Sequence, residues 1–217
     1  MKIFLRSHLS RISALKIFSP LKKIYQSKQL NQWKNSPVGP APHIFKQMTI
    51  QEYKQQSKSL VLIETGTFLG DMIAAQLNFF KRIYSIEVSY PLFMQAKSRF
   101  RRHSKVKLLH GDSGVLLPEI VKDLNEKAIF WLDGHYSGGI TSMGESECPV
   151  IKELSAILPS TNTYEHIILI DDARCFTGEG DYPSMEVIQS LVSKANPKYS
   201  VKVENDIIRI SSTDEVK

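Results

Sequence analysis

Short apolar runs recur along residues 60–211, and between them apolar positions return at the three-to-four-residue interval of a helix. The runs at 60–64, 82–88 (RIYSIEV), 105–110 (KVKLLH), 128–133 (AIFWLD), 166–171 (HIILID), 199–204 (YSVKVE) and 206–211 (DIIRIS) predict seven strands. The stretches near 71–80, 91–102, 114–125, 149–158 and 183–195 predict helices, with Pro91 and Pro149 in first helical turns. Such alternation implies a mostly parallel sheet with helices on both faces. The last two runs break it. Only Asn205-Asp206 joins them, which is hairpin chemistry, so these strands should pair antiparallel. The fold expected is α/β: a doubly wound, mostly parallel, seven-stranded sheet ending in an antiparallel hairpin. No internal repeat or low-complexity stretch interrupts it.

The first run ends in the most informative segment of the chain. Leu60-Val61-Leu62-Ile63-Glu64 leads into Thr65-Gly66-Thr67-Phe68-Leu69-Gly70-Asp71, a strand, an acid and a glycine turn before a helix. That order describes a nucleoside-cofactor site, with Glu64, Gly66, Thr67, Phe68 and Gly70 as candidate contacts. Phe68 stands where a dinucleotide fingerprint carries its second glycine, the one that lets backbone touch a pyrophosphate. A bulky aromatic there argues for a cofactor without phosphates.

In open α/β sheets ligands bind beyond the carboxyl ends of the strands. Those ends carry Glu64, Glu87, Asp112, Asp133 and Asp171-Asp172, so each of the first five strands closes on an acid. Glu87 follows Glu64 by 23 residues, near the offset at which a carboxylate takes both ribose hydroxyls. Asp112 and Ser113, in Gly111-Asp112-Ser113, are placed to take an exocyclic adenine amine.

Charge changes the picture at the N-terminal end. The 217-residue chain has a net charge of +6, yet residues 1–60 hold 11 Lys/Arg and a single acid, Glu52, and residues 61–217 sum to −4. The basic character therefore belongs to an extension, residues 1–45, and not to the domain, residues 46–217. Lys2–Tyr25 carries Ile3, Leu5, Leu9, Ile12, Leu15 and Phe18 among basic residues, a basic amphipathic segment. It either lies on an anionic membrane face or packs against the core or a second copy. Arg6, Arg11 and Lys16 interrupt every apolar run there, which opposes a cleavable signal, and no segment has the apolar length of a membrane span. Pro37, Gly39, Pro40 and Pro42 form a linker. Cys148 and Cys175 have no metal or redox spacing and suit a reducing compartment, so a cytoplasmic location is expected, peripheral at the inner membrane face in the case that the basic segment lies on a membrane.

The set Glu64-x-Gly66-x-x-x-Gly70, Glu87, Gly111-Asp112, Asp133 and Asp171-Asp172 resembles the class I S-adenosylmethionine-dependent methyltransferases, whose Rossmann-like sheet ends in such a hairpin. Phe68 is similar to the metal-dependent O-methyltransferase branch. Trp131-Leu132-Asp133-Gly134-His135-Tyr136 with Ile170-Asp171-Asp172 resembles the macrocin/aminocoumarin-sugar O-methyltransferase group more closely. The resemblance covers about residues 58–211. It implies methyl transfer from S-adenosylmethionine to a hydroxyl of a sugar, glycan or other small acceptor, as in glycan biosynthesis, with a divalent ion such as Mg²⁺. Asp133, Asp171 and Asp172 offer that ion three hard carboxylate oxygens. His135 and Asp133 are the catalytic candidates. In the sugar group an aspartate stands at the position of His135, so this histidine is a general base, a metal ligand or a structural loop residue. Arg174, Asp181 and Tyr182, with Gly178 and Gly180, and Gly138-Gly139 belong to loops that should form the acceptor site and its lid. Arg174 suits either an anionic group of the acceptor or a salt bridge within its loop.

Two other readings compete. A nicotinamide-dependent oxidoreductase is opposed by Phe68 and by the terminal hairpin. A non-catalytic binding protein docked through its basic N-terminus is opposed by the row of acids. Nucleic acid is not expected as a partner, because residues 61–217 are net acidic and Asp133-Gly134-His135-Tyr136 lacks an element that stacks a flipped base.

Overall fold

The structure is a computed structural model that describes residues 27–33, 35, 39–134 and 148–213. The chain divides into two compact units, residues 1–46 and 47–217. The basic segment Lys2–Tyr25 lies outside the described residues. No helix among the described residues is long and apolar enough to cross a membrane.

Seven strands form one sheet in the order β3-β2-β1-β4-β5-β7-β6. They are β1 (Val61–Thr65), β2 (Arg82–Glu87), β3 (Val106–His110), β4 (Ala128–Leu132), β5 (Ile167–Ile170), β6 (Tyr199–Glu204) and β7 (Ile207–Ser212). The first five run parallel, and β7 is antiparallel to both β5 and β6. This is the expected Rossmann-like sheet with its terminal hairpin. Asn205 and Asp206 both take positive φ, 55° and 62°, between paired Glu204 and Ile207. Two left-handed residues make the turn whose twist matches the flanking strands.

The helices are α1 (His43–Ser57), α2 (Asp71–Gln76), α3 (Tyr90–Phe100), α4 (Ser113–Lys122), α5 (Val150–Ile157), α6 (Thr161–Tyr164) and α7 (Met185–Ala195). Strands β1, β4 and β5 are buried at every position, which is why β4 and β5 read as unbroken apolar runs and β1 as one up to Glu64. Alternate residues feed two cores. Val61, Ile63, Phe130 and Ile168 pack with α4, α5 and α7 through Leu117, Leu154 and Ile188. Leu62, Ile129, Trp131 and Leu169 pack on the opposite face with Ile50 and Tyr53 of α1, Ile73 of α2 and Phe100 of α3.

Besides α6, a single unanticipated turn, two elements depart from the sequence expectation. α1 was not anticipated, although it starts directly after Pro42 and brings Ile50 and Tyr53 into the core. α2 was expected to reach residue 80 and ends at Gln76. The Lys105 ammonium donates to the carbonyls of Leu77 and Phe80, the latter at 3.2 Å, and so satisfies groups left open beyond the helix end.

Candidate functional site

Strand β1 is bonded to β2 on one side and to β4 on the other, so the chain reverses its direction of winding there. The crevice at such a switch point is where this class of sheet holds ligands. Gly66 marks its floor. Its φ is 85°, and a Cβ at this position would stand 2.2 Å from the Asp133 carbonyl oxygen. The loops after β1 and β4 thus approach to a distance that only glycine permits. The Asp133 N–H donates to the Thr65 carbonyl at 3.1 Å and ties the same two strand ends together. Gly134 follows on this floor, with Thr65 Oγ1 and Ser113 Oγ within 3.4 Å of where its Cβ would be.

The β1–β2 side of the crevice is a linked polar network. Glu64 is 2% exposed and accepts a hydrogen bond from Ser85 Oγ at 2.5 Å. Because Ser85 gives its single proton to Glu64, Thr67 Oγ1 donates to Ser85 across 2.6 Å. Burial pushes the Glu64 carboxyl up to about 8, against the Ser85 bond, and the nearby charges of Asp133 and Glu87 add to the rise. Glu87 accepts N–H groups from Phe68 (2.7 Å, on Oε2) and Ser89 (2.9 Å, on Oε1). Burial raises its pKa too, and those two donors oppose the rise.

Phe68 holds φ at 47°, the left-handed region that glycine would occupy without strain, and its side chain is 42% exposed. The Glu87 carboxylate pins this backbone by its bond to the Phe68 N–H. Asp112 caps α4, its Oδ1 accepting the Gly114 N–H at 2.7 Å. The aromatic rings of Tyr90 and Phe93 stand 5.2 and 5.3 Å from the His110 ring at the ends of β2 and β3.

On the other side of β1, one carboxylate oxygen from each of Asp133, Asp171 and Asp172 lies within 4.8 Å of the others. Asp171 is fully buried, and Asp133 and Asp172 are half-buried. Oxygens at this separation fit around a small hard cation with positions left for water or substrate. Asp172 has φ 54°, and its N–H donates to Asp171 Oδ1 at 2.8 Å. Arg174 is salt-bridged to Asp172 and Asp206, the second of its two expected roles. The loop that follows is closed by a bridge between Thr177 and Ser184, with the Tyr182 ring edge-on to Phe176 at 5.6 Å. His135, Tyr136 and Gly138-Gly139 lie outside the described residues.

The fold thus brings Glu64, Gly66, Thr67, Phe68 and Glu87 into one network and Asp133, Asp171 and Asp172 into one cluster. Ser85 and Asp206 were not anticipated as part of either. Ser85 had a signal, a small polar residue in the middle of the β2 run.

No family model and no curated protein matches the sequence. Solved structures do match the fold. An O-methyltransferase from Bacillus cereus in complex with S-adenosylhomocysteine aligns at TM-score 0.57 and 14% identity over 87% of this chain and 90% of that one. A Podospora anserina methyltransferase, also bound to S-adenosylhomocysteine, aligns at 0.54 and 15% over 92% and 97%. A candidate caffeoyl-CoA O-methyltransferase from Staphylococcus aureus aligns at 0.53 and 13% over 97% and 98%. The chain has the fold of the class I methyltransferases.

Proposed function

We propose that this chain is an S-adenosylmethionine-dependent O-methyltransferase that acts on a hydroxyl of a sugar, glycan or other small acceptor, assisted by a divalent ion, Mg²⁺ by its preference for oxygen ligands. The carrying observation is the row of carboxylates along the carboxyl edge of the sheet, split by β1 into a Glu64–Glu87 side and an Asp133–Asp171–Asp172 side. The fold supports the reading, since structures that share it hold S-adenosylhomocysteine. Fold alone does not choose an acceptor.

The chain's own residues divide the work. Glu87, fixed by two backbone donors, keeps acceptor capacity for the paired hydroxyls of a ribose. Phe68 fills the space a pyrophosphate would need. Gly66, by admitting the Asp133 carbonyl, keeps the loops after β1 and β4 close enough to form the floor on which the cofactor would lie. Asp133, Asp171 and Asp172 would hold the divalent ion, which when bound lowers the pKa of an acceptor hydroxyl and orients it. His135, two residues after Asp133, is the proposed general base.

Calorimetric titration of the full chain with S-adenosylmethionine and with NADH, each with and without Mg²⁺, tests this. Micromolar S-adenosylmethionine binding without an NADH signal supports the reading. Absence of S-adenosylmethionine binding in both conditions overturns it and favours a non-catalytic binding protein. Asp133→Asn and Asp171→Asn are expected to abolish methyl transfer while changing S-adenosylmethionine affinity less than about tenfold.

A further inference from the structure

The turn between β6 and β7 reaches into the carboxylate cluster. Asp206 makes three contacts with the segment after β5. Its main-chain carbonyl accepts the Ala173 N–H at 2.9 Å. Its Oδ1 accepts the Arg174 N–H at 2.9 Å. Its Oδ2 accepts from Arg174 Nη1, which also donates to Asp172 Oδ1 at 2.9 Å. The Asp206 side chain is only 8% exposed, whereas the Arg174 side chain that it holds is 39% exposed. Between them they bracket Asp172, a non-glycine residue in the left-handed region that must be held there.

We infer that Asp206 is a positioning residue for the divalent ion, acting through Arg174 to fix the Asp172 carboxylate. This rests on the metal-assisted reading of Asp133, Asp171 and Asp172. Two physical effects follow from the contacts. Asp206 clamps the backbone at Ala173 and Arg174, which sets where the Asp172 side chain starts. It also shares the Arg174 guanidinium. Without Asp206 that cation would be left to Asp172 alone and would compete with an ion for its oxygens. An outer partner of this kind, which orients a ligand, typically changes metal affinity 10–100-fold when removed.

The test titrates full-length protein with Mn²⁺, reading the free ion by electron paramagnetic resonance, for the wild type, Asp206→Asn and Asp206→Gly. Both replacements tolerate the left-handed φ of 62°, so the hairpin survives. The expected result is Mn²⁺ binding weakened on the order of tenfold in both variants. S-adenosylmethionine affinity should stay at its wild-type value in both variants. Asp206→Asn, which keeps an Oδ1 acceptor for the Arg174 N–H, should lose Mn²⁺ affinity while melting closer to wild type than Asp206→Gly, whereas under a merely structural role the Mn²⁺ loss would follow the melting temperature. Equal Mn²⁺ affinity in wild type and variants overturns this inference alone. Failure of the wild type to bind Mn²⁺ overturns it together with the metal-assisted reading.

Discussion

Glu64 is a carboxyl group with a proton to lose. Its pKa of about 8 in the fold lies above the ordinary value of 4.5, so between those limits the folded chain holds a proton that the unfolded chain has released. Stability contributed by this group is complete below the lower limit and is lost as pH rises through the upper one. The slope reaches about 1.4 kcal/mol per pH unit inside the window. Urea unfolding at pH values below, within and above it should show that decline, and Glu64→Gln should flatten it. Phe68 carries a different strain. Relieving its left-handed φ with Phe68→Gly should leave stability within about 1 kcal/mol of wild type, strain relief offsetting the added freedom of the unfolded chain. Phe68→Val, branched at Cβ, should lose on the order of 1–2 kcal/mol by the same measurement. The acids of the site were legible in the sequence because each closes an apolar run. The proton on Glu64, the conformation of Phe68 and the reach of Asp206 were not, since each arises from residues 19 to 32 positions away meeting in space.

At the level of elements, the strands were legible to within a residue or two because burial on both faces makes β4 and β5 apolar throughout and β1 apolar up to Glu64. Helix ends were less so. Just past the end of α2, open carbonyls are met by the Lys105 ammonium, which follows α3 in the chain. α1 escaped notice because its buried residues, Thr49, Ile50 and Tyr53, sit among glutamines and lysines that make no clean apolar stripe. Its contribution is nevertheless that of a core helix. Ile50 is fully buried, and Tyr53 lies under the Arg209 guanidinium of β7 at 5.8 Å. Ile50→Ala should therefore cost about 2–5 kcal/mol in denaturant unfolding, the range for a truncated core aliphatic. A loss below about 0.5 kcal/mol would show that α1 is dispensable to the sheet it covers.

Across the whole molecule the charge is divided, with the excess of lysine and arginine before residue 61 and a net −4 after it. Full-length chain mixed with vesicles should sediment with those that contain anionic lipid and not with neutral ones, and the association should fade as salt rises. Equal sedimentation with both would refute an electrostatic contact. The strand order carries a further consequence, for the birth of the protein rather than its work. β1 pairs with β2 almost at once in the chain, Val61 against Arg82, but its second neighbour places Ala128 against that same Val61. While the ribosome is still making the intervening segment, the half-sheet β1–β2–β3 presents the apolar residues Val61, Leu62 and Ile63 on a strand with an open hydrogen-bonding edge. A strand buried at every position in the finished sheet is thus an adhesive surface of the nascent one, and slow synthesis or heat prolongs that exposure.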